Sequence, residues 1–176
     1  NKESLLTYDS AFSYSPQVEL SSENYYDLQI GIVDYNVYLL YADVNLPILS
    51  REEYYEEWLK ADNIGTDYRK ISLIYSTVED RHESLQFQEY LSQRLNLKVD
   101  LLENNSSDEF IYNLSKAKKV FSGRMHTLIL SLVLKKQVKL YPISEKLEQL
   151  VPIINEKYSM SDIQSSILYD FKGLLQ

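Results

Sequence analysis

The chain has 176 residues, of which 44% are hydrophobic and 25% charged, a composition that fits one globular domain with a sizeable core. The formal net charge of −8 argues against a nucleic-acid partner, and the absence of cysteine excludes disulfides and thiolate catalysis. No run of about 18 apolar residues is present, so no membrane span is expected.

Residues 1–27 are polar and rich in Ser, Tyr and Glu, which predicts a poorly ordered lead-in before a domain at 28–176. In that domain, apolar runs typical of strands alternate with helical stretches. Strands are predicted at 28–33, 71–75, 97–102, 120–121 and 138–141, and a further apolar run lies at 37–44. Helices are predicted at 50–61, 81–95 and 108–118, from 124, from 144, and at 160–175.

Two of these helices begin with recognisable capping signals. Ser50 followed by Glu53 is a capping-box pattern, and Ser107 precedes a helix with acids at its start and lysines at its end. Trp58 lies at helical spacing and has no basic neighbours, so we expect it to anchor the core. At least four strand–helix repeats predict an α/β fold, a Rossmann-like parallel sheet with helices on both faces.

The stretch from Lys118 to Glu145 combines a strand, a small-residue turn and an apolar helix that starts near Arg124. Such a turn lies at the carboxyl end of its strand, where open α/β sheets bind ligands. The helix start supplies unpaired N–H groups, Arg124 a fixed fork for carboxylate or phosphate, and His126 a proton near neutral pH. The pattern predicts an anion site with acid–base capacity. From spacing alone, a surface arginine and a histidine that satisfies the helix start remain the alternative.

A second loop, from Ser76 to His82, follows the strand predicted at 71–75. One interpretation of His82 is a solvated surface histidine. The other is that this loop rims the same crevice as Arg124. Because the chain has two histidines and no cysteine, a structural zinc site is not expected, and no metal is assigned to the site.

The segment SGRMHTLILSL, followed by YPISEKLEQL, resembles the C-terminal motif of the polysaccharide pyruvyl transferase family. Members carry Ser-Arg-x-His at the start of a helix rich in alanine and leucine, then a strand, a serine and a Glu/Lys pair. The matching positions are Ser122 or Gly123, Arg124, His126, Ser144, Glu145 and Lys146. Asp9 to Phe12 resembles the family's Asp-Pro-Ala-Phe, and Asp80 is the nearest match to an aspartate common near the second loop.

One position departs from the family pattern. The first strand of this half often ends in an arginine-bearing turn in the family, whereas this chain has Val33-Asp34-Tyr35-Asn36 there. An anion contact that the resemblance implies is therefore missing, and we interpret Asp34 as a turn-forming aspartate.

The resemblance implies that residues 9–150 form the C-terminal domain of a two-domain fold like that of the GT-B glycosyltransferases. It implies transfer of a pyruvyl group from phosphoenolpyruvate to hydroxyls of a sugar or lipid-linked sugar in capsule, exopolysaccharide or cell-wall biosynthesis, with no further cofactor. Arg124 and Lys146 would hold the anion, and His126 would be the general acid. Ser122, Gly123, Ser144 and Glu145 would also bind substrate. The N-terminal half of the same enzyme is the implied partner, without which this chain is expected to be inactive.

Two other functions stay open at the level of sequence. A GT-B-type glycosyltransferase would use Arg124 and Lys146 for the diphosphate of a nucleotide sugar and Glu145 for a ribose hydroxyl. A non-catalytic domain that keeps the fold is favoured by the missing strand-end arginine and by the acidic, tyrosine-rich N-terminal half. The polar N-terminus has no signal-peptide pattern, and we expect a cytoplasmic protein.

Overall fold

The computed structural model describes residues 10–45, 47–65, 67–148, 150–155 and 161–165. Five strands form one sheet: β1 (Tyr26–Gly31), β2 (Ile71–Leu73), β3 (Val99–Leu101), β4 (Ala117–Ser122) and β5 (Gln137–Leu140). Their order across the sheet is β3-β2-β1-β4-β5, and all neighbouring pairs are parallel. The predicted Rossmann-like α/β fold is confirmed.

Helices connect and follow the strands. They are α1 (Tyr35–Asn45), α2 (Arg51–Ala61), α3 (Val78–Leu95), α4 (Ser107–Ser115), α5 (Met125–Val133), α6 (Glu145–Glu148) and α7 (Val151–Ile154), preceded by a 3₁₀ helix at Ser10–Ser13. The chain passes from β1 to β2 and β3 on one side, then returns to β4 on the other side of β1. This reversal leaves a crevice at the carboxyl ends of β1 and β4, where sheets of this type bind ligands.

Helices cover both faces of the sheet. Val120 and Phe121 are successive residues of β4, so their side chains lie on opposite faces. Phe121 packs against Trp58 of α2, with ring centroids 4.8 Å apart. Val120 packs in a separate buried cluster, against Leu114 of α4 and with Leu130 of α5 at its edge.

Trp58 anchors the larger core, as predicted. The indole is fully buried and stacks on Tyr141 with the ring centroids 4.1 Å apart. Tyr54, also fully buried, packs edge-on against it, and the Tyr54 hydroxyl donates to the carbonyl of Val33 at 2.9 Å. This bond connects the aromatic core directly to the loop that follows β1.

The apolar run at 37–44 forms most of α1. Asp34 explains the start of this helix, because its Oδ1 accepts from the backbone N–H groups of Asn36 and Val37 at 3.0 and 3.2 Å. The interpretation of Asp34 as a structural residue is therefore confirmed. The predicted capping box of Ser50 and Glu53 is also present.

Two predicted helix starts are displaced in the structure. The N-cap of α4 is Ser106, not Ser107, since the Ser106 hydroxyl accepts from the backbone of Glu109 at 3.1 Å. The third helix begins at Val78, three residues earlier than predicted, because Thr77 caps it through the backbone N–H of Asp80. Ser106 and Ser107 are adjacent candidate caps, and sequence alone does not choose between them. For the third helix, the loop was predicted to extend through its first turn, where Thr77 acts as the cap.

The described part of the lead-in packs on the domain. Phe12 is buried in the main core, and the backbone N–H of Ser21 donates to Ser115 Oγ at 2.8 Å. Of the helix predicted at 160–175, residues 161–165 are helical with Ile163 buried, and the rest lies outside the described residues. None of the described helices is both long and apolar enough to cross a membrane.

Candidate functional site

A cleft of about 380 Å³ opens at the carboxyl edge of the sheet. Four connections border it: those that follow β1, β2, β4 and β5. Its lining consists of Val33, Val37, Tyr41, Ser76, Thr77, Gly123, Arg124, Met125, His126, Ile143, Ser144, Lys146 and Leu147. It therefore lies at the reversal of strand order, the position that the topology favours for a ligand.

Most of the site residues predicted from the sequence meet in this cleft. Gly123, Arg124, His126, Ser144 and Lys146 all line it, although 22 residues and an entire strand separate the first from the last along the chain. The adjacent strands β4 and β5 are in parallel register, which brings the turns after them to the same edge.

Ser122 does not line the cleft. Its side chain is fully buried, and its hydroxyl donates to the carbonyl of Gly31 at 2.9 Å while accepting from the backbone N–H of Arg124 at 3.1 Å. A Cβ on Gly31 would lie 2.6 Å from Ser122 Oγ, so the glycine permits this close contact. Ser122 thus joins the ends of β1 and β4 and positions Arg124, in place of the predicted substrate contact.

Gly123 allows two loops to approach each other at the cleft. A Cβ at this position would lie 2.7 Å from Cδ1 of Ile143 and 2.8 Å from Cγ2 of Val33. A side chain here would force the Val33 and Ile143 side chains to shift. The glycine therefore permits the observed approach of the two loops.

Arg124 is held by a buried carboxylate. Its Nε donates to Asp80 Oδ2 at 2.9 Å and its Nη2 to Oδ1 at 2.7 Å, a bidentate pair in which the Asp80 side chain is 1% exposed. Burial lowers the pKa of Arg124, but hydrogen bonds and charge from Asp80 outweigh it, so the pKa lies above its ordinary value. The Arg124 side chain is 29% exposed, and its Nη1 has no hydrogen-bond partner among the described residues.

Asp80 has further partners that fix its position. Its Oδ1 accepts from the backbone N–H of Asp34 at 3.0 Å, and its Oδ2 accepts from the Ser76 hydroxyl at 3.3 Å. One carboxylate therefore links the loop after β1, the loop after β2 and the arginine after β4. The guanidinium plane is set by three elements and is preorganised for a ligand.

His126 and Lys146 are the other two basic side chains at the cleft, and both are exposed. His126 is the second residue of α5, which begins at Arg124 without a side-chain cap. Lys146 lies in α6 and forms no ion pair with any residue that the structure describes. Glu145 precedes it at the start of α6, and its side chain lies outside the described atoms.

The charge of the cleft is opposite to that of the chain. The formal net charge is −8, yet the described lining residues include Arg124, Lys146 and His126 and no carboxylate. Asp80, the carboxylate that bonds to Arg124, is buried behind the guanidinium and is not part of the lining. A small anion with two negative groups fits such a surface, since cations on two separate turns can each meet one group. Among the described residues, no group of three or more His, Cys, Asp or Glu side chains could hold a metal.

The family comparison agrees with this geometry. A model of the polysaccharide pyruvyl transferase family matches residues 1–138, well over half of the chain. The chain belongs to the polysaccharide pyruvyl transferase family. The matched range includes Asp80, Arg124 and His126, and it ends before Ser144 and Lys146. No curated protein matched the chain.

In this pyruvyl transferase family member, only part of the loop from Ser76 to His82 belongs to the cleft. Ser76 and Thr77 line the cleft, so the loop does rim the same crevice as Arg124. His82 is exposed on α3, lies next to Gln86 and is not part of the cleft lining. The surface interpretation of His82 agrees with this position.

Sequence reasoning missed the apolar side of the cleft. Val37 and Tyr41 of α1 line it, as do Met125 and Leu147. A partial signal for α1 was available, because Asp34 precedes the apolar run at 37–44 by three residues and aspartate is a common helix cap. These apolar side chains give the cleft a non-polar wall opposite its basic groups.

Proposed function

We propose that this domain binds phosphoenolpyruvate and takes part in transferring its pyruvyl group to hydroxyls of a sugar in polysaccharide biosynthesis. The observation that carries the proposal is the convergence of Arg124, His126 and Lys146 in one cleft of an acidic chain that belongs to the family. The donor carries a phosphate and a carboxylate, and the cleft offers two permanent cations on separate turns.

Arg124 and Lys146 divide the recognition of the two anionic groups. Asp80 takes one edge of the Arg124 guanidinium, so Nη1 and the second N–H of Nη2 remain for an oxyanion. The uncapped start of α5 adds backbone donors beside it. Lys146 provides a mobile point charge from the opposite turn. Ser144, which also lines the cleft, can donate a hydroxyl to either group.

His126 is assigned as the general acid. Its proton adds to the methylene carbon of phosphoenolpyruvate, and the central carbon gains cationic character that a sugar hydroxyl attacks. A C–O bond forms to the sugar oxygen, and the hydroxyl proton passes to His126, which has just given up its own. The bond between that carbon and the phosphate oxygen then breaks. A second hydroxyl of the sugar forms the other C–O bond, and its proton leaves with the phosphate. Backbone N–H groups of α5 and Arg124 stabilise the departing phosphate.

The other half of the enzyme is part of the proposal. We assign this chain as the C-terminal domain of a GT-B-like pair, with an N-terminal half of the same enzyme closing the cleft and a sugar or lipid-linked sugar as acceptor. No cofactor besides the donor is needed in this scheme, and the cytoplasm is the proposed compartment. The chain alone is expected to bind the donor without turning it over.

Donor binding by this chain tests the proposal. Titration calorimetry with phosphoenolpyruvate should show binding that Lys146→Ala weakens about tenfold, because hydrogen bonds to charged groups contribute about 1.5–3 kcal/mol. Lys60→Ala is the matched control. Lys60 is an exposed lysine of α2, outside the cleft, and within the described residues its ion pair is with Glu57.

The same titration includes UDP-glucose as a competing donor class. Tighter binding of UDP-glucose than of phosphoenolpyruvate would favour a glycosyltransferase over pyruvyl transfer. If neither compound binds, or if Lys60→Ala weakens phosphoenolpyruvate binding as much as Lys146→Ala does, the assigned donor site is wrong.

A further inference from the structure

A second cavity, of about 420 Å³, lies beside the cleft on the same edge of the sheet. The loops after β2 and β3, the first turns of α4 and one side of α5 enclose it. Its volume is within the range of about 300–1,000 Å³ that small-molecule sites occupy. The residues assigned to donor binding and acid catalysis do not line this cavity. The two cavities share only the loop after β2.

The lining of the second cavity differs from that of the cleft in charge. None of the described residues that line it is acidic or basic, although charged residues make up 25% of the chain. The polar lining is made of hydroxyls and amides, including Thr77, Asn104, Asn105 and Ser107. These groups both donate and accept hydrogen bonds, as sugar hydroxyls do.

An apolar surface lies next to these polar groups. Phe110 and Leu130 line the cavity, and Val78 stands at its edge with 79% of its surface exposed. A site with an apolar wall and a few uncharged polar groups fits a ligand with one apolar face and a hydroxylated rim. A neutral pyranose ring has this character, and a phosphate or carboxylate does not.

The polar wall of the cavity is held in place by bonds within the protein. The Asn104 side chain donates to the carbonyl of Tyr75 at 3.1 Å and accepts from Asn113 at 2.9 Å. The side chains of Asn105 and Ser107 are exposed and have no hydrogen-bond partner among the described residues. A fixed wall therefore presents two groups that are available to a ligand.

The two cavities share a wall. Ser76 and Thr77 line both, and Ser76 also bonds to Asp80, which holds Arg124. A ligand in the second cavity is thus adjacent to a donor bound at Arg124. We propose that the second cavity is the acceptor subsite, which takes an uncharged sugar ring and holds its hydroxyls next to phosphoenolpyruvate. This inference rests on the proposed function.

Binding of simple sugars to this chain tests the subsite. The probes are methyl β-D-galactopyranoside, methyl β-D-glucopyranoside and methyl α-D-mannopyranoside, followed by chemical-shift titration. At least one of them is expected to bind, and Ser107→Trp, which fills the cavity, is expected to raise its Kd about tenfold or more. Asp108→Trp is the matched control, because Asp108 is the next residue of α4 and faces a different surface depression.

Folding and donor binding are read separately in the same samples. Circular dichroism checks each variant, and Asn105→Trp replaces Ser107→Trp if the latter does not fold. Phosphoenolpyruvate should bind Ser107→Trp as it binds the unmodified chain. Donor binding without any sugar binding, or sugar binding that the tryptophan does not weaken, overturns the subsite and leaves the proposed function intact. Sugar binding without donor binding supports a sugar site and overturns the proposed function.

Discussion

At the scale of single residues, the site depends on how Asp80 uses the Arg124 guanidinium. The bidentate pair fixes the plane of the guanidinium and leaves its remaining N–H groups for a ligand. The raised pKa of Arg124 keeps it charged at every physiological pH. Removing either partner should destabilise the protein, because the other would remain as an unpaired charge with little access to water.

Asp80→Ala is predicted to damage both stability and donor binding. Removing one member of a buried ion pair costs about 3–5 kcal/mol, which denaturant unfolding measures. The Kd for phosphoenolpyruvate should rise in the fraction that stays folded, because Arg124 is no longer oriented. Glu79→Ala, in the same turn but exposed, is the control and should change the free energy of unfolding much less than Asp80→Ala does. An unchanged Kd in folded Asp80→Ala would remove Asp80 as a positioning residue.

The sequence indicated the basic residues of the site better than their partners. Arg124 and His126 follow a strand and a glycine, a local pattern that reads directly as a ligand-binding turn. The bond from Arg124 to Asp80 joins residues 44 positions apart and depends on β1 lying between β2 and β4. The burial of Ser122 likewise depends on Gly31 of the neighbouring strand. Such pairings require the strand order, which no local pattern encodes.

At the scale of elements, a second buried carboxylate ties three helices together near the cleft. Glu83 of α3 is fully buried and accepts from Arg51 of α2 at 2.8 Å, from the Tyr55 hydroxyl, and from the backbone N–H of Tyr35 at 3.0 Å. Tyr35 is the first residue of α1, which carries part of the cleft lining. Glu83 therefore fixes where α1 starts relative to α2 and α3.

Glu83→Ala is predicted to lower the free energy of unfolding by about 1–3 kcal/mol, because the buried Tyr55 hydroxyl and the backbone N–H of Tyr35 lose their acceptor. Urea unfolding followed by circular dichroism measures this change. Glu89→Ala, an exposed carboxylate of the same helix, should stay within about 0.5 kcal/mol of the unmodified protein. Equal stability of the two variants would mean that the network does not join the helices.

Helices and strands with strong periodicity or capping signals could be predicted from the sequence. The residues at which they begin and end could be predicted less well. The capping box of α2 and the strand cores were identified from the sequence because their signals are local. The run at 37–44 could not be assigned by its apolar content alone, since it is short and lies between two loops. Its helical form follows from Asp34, whose capping role depends on the bend after β1.

At the scale of the whole molecule, several of the sixteen tyrosines link stability to pH. Burial, together with a hydrogen bond to Asp100, raises the pKa of Tyr26 to about 12, and burial with a bond to Glu56 raises the pKa of Tyr90 to about 12. Burial also raises the pKa of Tyr54 well above its ordinary value, and that of Tyr141 in the same aromatic core. The folded state therefore holds these phenols in the protonated form.

This arrangement predicts loss of stability in alkali. The unfolded phenols ionise near pH 10, so the stabilisation is fully present below about pH 10. It is lost as the pH rises through about 12, the folded pKa of Tyr26 and Tyr90. The last part of the rise in tyrosinate absorbance, from the buried phenols, should coincide with the loss of circular dichroism. Tyr26→Phe should weaken the pH dependence, and exposed Tyr25→Phe should not. Ionisation of Tyr26 and Tyr90 near pH 10 in a protein that stays folded would contradict the prediction.

The role of His126 is tested most directly by measuring pyruvyl transfer from phosphoenolpyruvate to a sugar acceptor by the full-length protein carrying His126→Ala. Loss of a general acid is predicted to slow transfer by about 10²–10⁴-fold, with folding and donor binding retained. His82→Ala, the substitution of the other histidine, lies outside the cleft and should leave the rate unchanged. A folded His126→Ala protein that transfers the pyruvyl group at the unmodified rate would show that His126 is not the general acid.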